Sequence, residues 1–149
     1  MTASHLEDHL GYWLRLASNA VSHSFARQVE GEGVTVAEWV FLRTLYDHDH
    51  RSPSLLAGQM GMTRGAITKL AGRLIAKSLV TRTADREDGR AQTLALTPEG
   101  RAKVPVLAQL ADSNDAAFFD TLSAQERTAL EQALKALITR RQISGTPTD

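Results

Sequence analysis

The chain has 149 residues, 42% of them apolar and 23% charged, with no cysteine and with seventeen basic against seventeen acidic residues when the five histidines are counted neutral. Globular composition at ordinary domain size excludes collagenous, low-complexity and wholly disordered chains, and the lack of cysteine excludes disulfides, thiolate metal sites and thiol redox chemistry. No apolar run nears the roughly 20 residues that span a bilayer, and Met1 to Asp8 shows no basic stretch leading into an apolar one, so a soluble cytoplasmic protein with no membrane partner is expected.

Leu6, Leu10, Leu14, Ala17, Val21 and Phe25, spaced by threes and fours with Trp13 alongside, predict one apolar stripe on a first helix from Leu6 to about Val29. After Gly31-Glu32-Gly33, the Thr35-Val36-Ala37-Glu38 box starts a second helix carrying Trp39, Val40, Leu42 and Leu45. Ser52-Pro53 opens a short third helix that runs to Gly61, and Thr63 caps a fourth that turns Ile67, Leu70 and Leu74 inward. The period then changes. Leu79 to Thr83 and Gln92 to Leu96 are short β-prone runs around a charged loop, Ala84 to Ala91, and predict a two-stranded hairpin with an extended tip. Thr97-Pro98-Glu99 starts a fifth helix that Pro105 bends or restarts, and Ser123-Ala124-Gln125-Glu126 is a further capping box opening a sixth. Residues 144–149 are expected to fray. The fold class is mainly α with a β-hairpin wing.

A short helix, a tight glycine turn, a capped helix and a charged hairpin form a winged helix-turn-helix, which docks its second helix in the major groove of DNA. With the apolar residues of the fourth helix buried, Arg64, Gly65, Thr68, Lys69 and Gly72 are left over. Arg64 and Lys69 can donate to guanine or phosphate, Thr68 can meet a base edge or a thymine methyl, and the free N–H groups beside Thr63 favour a phosphate. Gly65 and Gly72 each cost a helix about 1 kcal/mol against alanine, a cost that close backbone approach to DNA or to another helix would rationalise. Arg73 and Arg82 suit phosphate contact or an ion pair between wing and helix.

Thr63-Arg64-Gly65-Ala66-Ile67-Thr68-Lys69-Leu70, Arg73-Leu74, Leu79-Val80 with Arg82, Asp85-Arg86-Glu87-Asp88-Gly89-Arg90 and Leu96-Thr97-Pro98-Glu99-Gly100 together resemble the MarR (multiple antibiotic resistance regulator) family of bacterial winged-helix repressors. The resemblance extends from about Gly11 to Arg140. It implies a homodimer whose first, fifth and sixth helices intertwine and whose two lobes straddle a palindromic operator on double-stranded DNA. By position, Arg90 is similar to the wing-tip arginine that enters the minor groove, with Asp88 fixing its guanidinium; Arg86 can take that place instead. Two positions depart from the family pattern. Ser78 stands where a glycine often ends the recognition helix, and Gly72 stands where an acid is common. A single domain over 1–149 is expected, with a DNA-binding lobe at about 35–100 and dimerisation helices at about 5–30 and 101–143. Leu107, Leu110, Phe118, Leu130, Leu134 and Leu137 are either interface or ordinary core.

Such regulators commonly release DNA when a small aromatic or phenolic anion binds between the dimer helices and the lobe. Tyr12, Trp13, Arg15, Trp39 and Arg43 are candidates to line that pocket, or else plain core and surface. His48-Asp49-His50 resembles a fragment of a metal site that His5, His9 or His23 would have to complete; helix-end histidines more often cap or are solvated, and neither metal nor cofactor is expected. No glycine-rich phosphate loop, serine elbow or His-Glu-x-x-His appears, so the chain is not read as an enzyme.

Between Arg51 and Lys103 stand ten basic and four acidic residues, an excess of six that the flanks cancel with seven basic and thirteen acidic. A basic DNA-facing surface and an acidic face turned away from it are expected. The reading is therefore a DNA-binding transcriptional repressor, homodimeric and relieved by a small ligand. Its alternative is a winged-helix dimer that docks a protein without specific DNA binding.

Overall fold

The computed structural model describes residues 1–84, 87 and 91–149. Among these, six α-helices and one antiparallel hairpin follow in the order α1 (Leu10–Glu30), α2 (Val36–Tyr46), α3 (Pro53–Met60), α4 (Arg64–Ala76), β1 (Val80–Ala84), β2 (Gln92–Leu96), α5 (Pro98–Phe118) and α6 (Ala124–Arg140). A separate 3-10 turn, Leu6–Asp8, precedes α1, so the first helix starts later than the apolar stripe does.

The predicted caps set the boundaries. Thr35, Ser52, Thr63, Thr97 and Ser123 each accept a backbone N–H three residues on, relieving one of the orphan donors of a helix start. Ser123 and Glu126 close both bonds of their box, and the Ser123 backbone N–H holds the Glu126 carboxyl below the ordinary carboxylate range. The box at Thr35 is only half made, because Glu38 turns its carboxylate inward to Lys77. Pro105 lies inside α5 without ending it.

Helix α4 ends in a left-handed turn held by a serine. Ser78 has φ +61°, its N–H donates to Ile75 O at 2.9 Å, and Leu79 N–H donates to Leu74 O at 3.0 Å, the paired bonds that close a helix when the residue after the cap is left-handed. The serine thus keeps the conformation that glycine usually supplies. Directly behind it, the first turn of α5 presses on β1. A Cβ built at Gly100 lies 2.0 Å from the Leu79 carbonyl oxygen, which already accepts Thr97 N–H at 3.1 Å. Only glycine fits there.

The hairpin pairs Val80 with Leu96 through Ala84 with Gln92. Arg51, just before α3, exchanges two backbone hydrogen bonds with Leu94, of 2.9 and 2.7 Å, and adds an isolated antiparallel bridge on the other side of β2 that the sequence does not announce. One core lies beneath the helix-turn-helix, built from Phe41, Leu42 and Leu45 of α2, Leu56 and Met60 of α3, Ile67, Leu70 and Leu74 of α4, Leu94 of β2, and Val104 and Leu107 of α5. Each fully buried side chain of this size contributes about 1.5–3 kcal/mol. Leu107 thus belongs to the protomer's own core and not to an interface; Leu110 and Phe118 are half-buried.

The outer helices are different. Leu10, Trp13 and Leu14 of α1 and Leu134, Leu137 and Ile138 of α6 are exposed, and α6 buries no residue at all. Asn114 of α5 is buried and holds α1 by donating to Val21 O at 3.2 Å and accepting from Gln28 at 3.1 Å. The segment after α6 returns to the helix-turn-helix, where Gly145 Cα lies 3.0 Å from the place of a Cβ on Gly61 and Thr146 is within 3.5 Å of Gln59 O. The expectation of a frayed tail is corrected to that extent. No helix among the described residues is long and apolar enough to cross a membrane.

Candidate nucleic-acid interface

Helix α4 sorts its residues by face. Ile67, Leu70, Ala71 and Leu74 are buried, while Arg64, Gly65, Thr68, Lys69, Gly72 and Arg73 are exposed on the opposite side. Gly61, left-handed at φ +64°, turns the chain from α3 into the Thr63 cap, whose hydroxyl takes Ala66 N–H at 3.1 Å. The backbone N–H groups of Arg64 and Gly65 precede the first helical bond and remain available to an anion. Thr68 spends its hydroxyl hydrogen on Arg64 O at 3.0 Å, which leaves it a methyl group and oxygen lone pairs to offer a base edge.

No heavy atom lies within 4 Å of a Cβ built at Gly65 or Gly72. Helix packing among the described residues of the protomer therefore does not account for these two glycines. Among the described residues Arg64, Lys69, Arg73 and Arg82 have no ion-pair partner. The wing acids Asp85 and Asp88, which a wing-to-helix pair with Arg73 or Arg82 would use, lie outside the described residues. Arg86, Asp88 and Arg90 lie outside the described residues.

The basic excess is smaller at the surface than in the sequence. Lys77 is spent on Glu38 at 2.7 Å and Lys103 on Glu32 at 2.9 Å, both acids coming from the flank that the charge count set apart. Arg101 rests on the Tyr46 ring, 5.2 Å from its centroid, and donates to Tyr46 O at 3.2 Å. Arg51 Nη2 lies 2.9 and 3.0 Å from the two ring nitrogens of His48. Four of the ten central cations are thus engaged within the fold, and the expected basic surface reduces, among the described residues, to the exposed face of α4 with Arg82 of the wing.

The five candidate ligand residues stand apart among the described contacts of the protomer. Tyr12 and Trp13 meet edge to face at 5.2 Å, Trp13 donating its indole N–H to Glu7 O at 2.9 Å, and Arg15 is exposed. Trp39 packs edge to face on Phe25 of α1 at 6.4 Å, and Arg43 pairs with Asp47 at 2.9 Å. A cavity of about 960 Å³ opens instead between the outer face of the hairpin, Asp49, His50 and Arg101. His48 is turned to Arg51, and no group of three potential metal ligands occurs among the described residues.

Comparison with known proteins points one way. The pattern of the MarR family matches residues 32–91. The chain is similar to the protein assigned as transcriptional regulator for the hcr operon of Thauera aromatica, at 34% identity over 139 residues, covering 93% of this chain and 82% of that one. It is also similar to the HTH-type transcriptional repressor MdtR of Bacillus subtilis, at 30% identity over 102 residues, 68% of this chain and 66% of the relative. Among solved structures, that of BpsR from Bordetella bronchiseptica, whose DNA binding is regulated by 6-hydroxynicotinic acid, has a TM-score of 0.77 at 25% identity and covers 91% of this chain and 97% of that one.

Proposed function

The chain belongs to the MarR family of transcriptional regulators, and from that premise we propose that it acts as a homodimeric repressor whose two lobes bind a palindromic operator and release it when a small aromatic acid binds. The observation that carries the reading is the outer face of α4, where cations without ion-pair partners, a threonine and two glycines in open space surround a helix start with unused N–H groups. Arg64, Thr68 and Lys69 face the base edges, with Gly65 letting the backbone come close. Thr63, Arg73 and Arg82 take phosphates. Arg90, braced by Asp88, or else Arg86, enters the adjacent minor groove from the wing.

Dimerisation uses the exposed leucines of α1 and α6, apolar faces that a monomer would leave in water. A second chain also completes the ligand site. Tyr12, Trp13 and Arg15 stand on α1 and Trp39 and Arg43 on α2, aromatic faces for stacking and guanidinium groups for a carboxylate, at the seam between the dimer helices and the lobe. The regulation of BpsR by an aromatic acid supports this class of effector here.

The test is to enrich duplexes from a random pool on the purified protein, footprint the winner, and titrate 6-hydroxynicotinic acid and benzoate. Protection of two half-sites one helical turn apart, relieved by an aromatic acid, is expected. Enrichment of no sequence would transfer the basic face to a protein partner instead.

A further inference from the structure

Glu38 and Lys77 form the one ion pair among the described residues whose carboxylate is buried. The Glu38 side chain is 1% exposed and that of Lys77 is 40% exposed. Lys77 Nζ donates to both carboxylate oxygens, at 2.7 and 3.1 Å, and to Gly33 O at 2.8 Å. An ammonium has three hydrogens, and three protein acceptors surround this one. It has none to give a phosphate.

The pair joins particular parts of the molecule. Lys77 caps the C-terminal end of α4, one residue before the left-handed Ser78 whose carbonyl accepts Thr97 Oγ1–H at 2.7 Å. Glu38 lies in the first turn of α2, next to Trp39, which packs on Phe25 of α1. Gly33 is in the turn between α1 and α2. Buried charge pairs are a poor source of net stability, because desolvation consumes much of the attraction, but parting this one would leave the Glu38 carboxylate bare inside the fold. The contact that covers it is the seat of the end of α4 on α2 and the α1–α2 turn.

We propose that Lys77 is a positioning residue and not a DNA contact, and that with Glu38 it sets the angle at which α4 presents Arg64, Thr68 and Lys69. The inference rests on the DNA-binding reading above. The same pair ties the end of α4 to α2.

The duplex enriched by the wild-type protein serves as probe, with a scrambled duplex as reference and affinity measured from low to moderate salt. Lys77→Met is expected to lower specific affinity about tenfold or more while leaving scrambled-duplex affinity nearly unchanged, with the log–log salt slope equal to that of wild type. Because Lys77→Met strands a buried carboxylate and can unfold the chain, Lys77→Arg and Glu38→Gln are measured beside it. Arginine is expected to restore specific affinity, and Glu38→Gln, buried and remote from any duplex, to lower the specific-to-scrambled ratio. A slope shallower by about 0.9 in Lys77→Met would make Lys77 a phosphate contact and overturn the proposal. An unchanged ratio in Glu38→Gln would reduce the pair to a structural strut and overturn it equally. Failure of the wild type to enrich any duplex sinks the DNA-binding reading itself, whereas a sound wild type with variants that behave in either of those ways sinks this inference alone.

Discussion

Ser78 and Gly100 stand at the joint between recognition helix, wing and α5, the first held left-handed by hydrogen bonds and the second left no room for a side chain. A non-glycine residue in the left-handed region costs about 1–2 kcal/mol, partly offset by the lower entropy that serine has over glycine in the unfolded chain. Ser78→Gly is therefore expected to stabilise the protein by about 0.5–1 kcal/mol, a rise of a few degrees in the melting temperature. Gly100→Ala drives a methyl into the Leu79 carbonyl and is expected to cost about 1–3 kcal/mol in chemical denaturation. A neutral Gly100→Ala would mean that the first turn of α5 does not press on β1 as described. The left-handed turn at Ser78 was hard to read from sequence because serine does not demand it; two backbone bonds and the Thr97 hydroxyl on the Ser78 carbonyl enforce it from outside.

At the scale of elements, the helices were legible because each start carries its own chemistry: a hydroxyl three residues before the N–H it accepts, and proline where no N–H is needed. The rung between Arg51 and Leu94 was not, since backbone pairing across 43 residues of chain leaves no local pattern. Glu38 was misread for a related reason. A threonine three residues ahead makes it look like a capping acid, and nothing nearby discloses that Lys77, on another helix, draws its carboxylate into the interior. The recognition face of α4 was readable, since the periodicity that buries Ile67, Leu70 and Leu74 also exposes Arg64, Thr68 and Lys69. From that face follows a contrast between two arginines. Arg64→Ala is expected to relax preference at one base position, worth about 1–3 kcal/mol of discrimination. Arg73→Ala should weaken binding to every sequence alike and reduce the salt slope by about 0.9. Selection from a random pool with each variant distinguishes them, and a uniform loss for Arg64→Ala would demote it to a phosphate contact.

For the molecule as a whole, the zero net charge conceals a division that is real but smaller than a count along the chain suggests. Pairs such as Lys77 with Glu38 and Lys103 with Glu32 cross between the basic centre and the acidic flanks, so segments separate in sequence neutralise one another in space. Of the central cations among the described residues, those not engaged within the fold are Arg64, Lys69 and Arg73 of α4 and Arg82 of the wing. In the proposed dimer a second chain covers the apolar faces of α1 and α6, and Leu134→Glu, which sets a charge among Leu130, Leu137 and Ile138, is expected to yield a monomer in sedimentation and to remove the concentration dependence of the melting temperature. Two lobes held by one dimer should then neutralise phosphates together.

The most direct test of this account is the salt dependence of affinity for the enriched duplex, measured on wild type and on the Leu134→Glu monomer. Each phosphate neutralised contributes about −0.9 to the log–log slope, so the dimer should show a steep slope and the monomer about half of it, at much lower affinity. A flat slope for the wild-type dimer, or equal slopes for dimer and monomer, would contradict a paired, phosphate-binding interface on α4 and the wing.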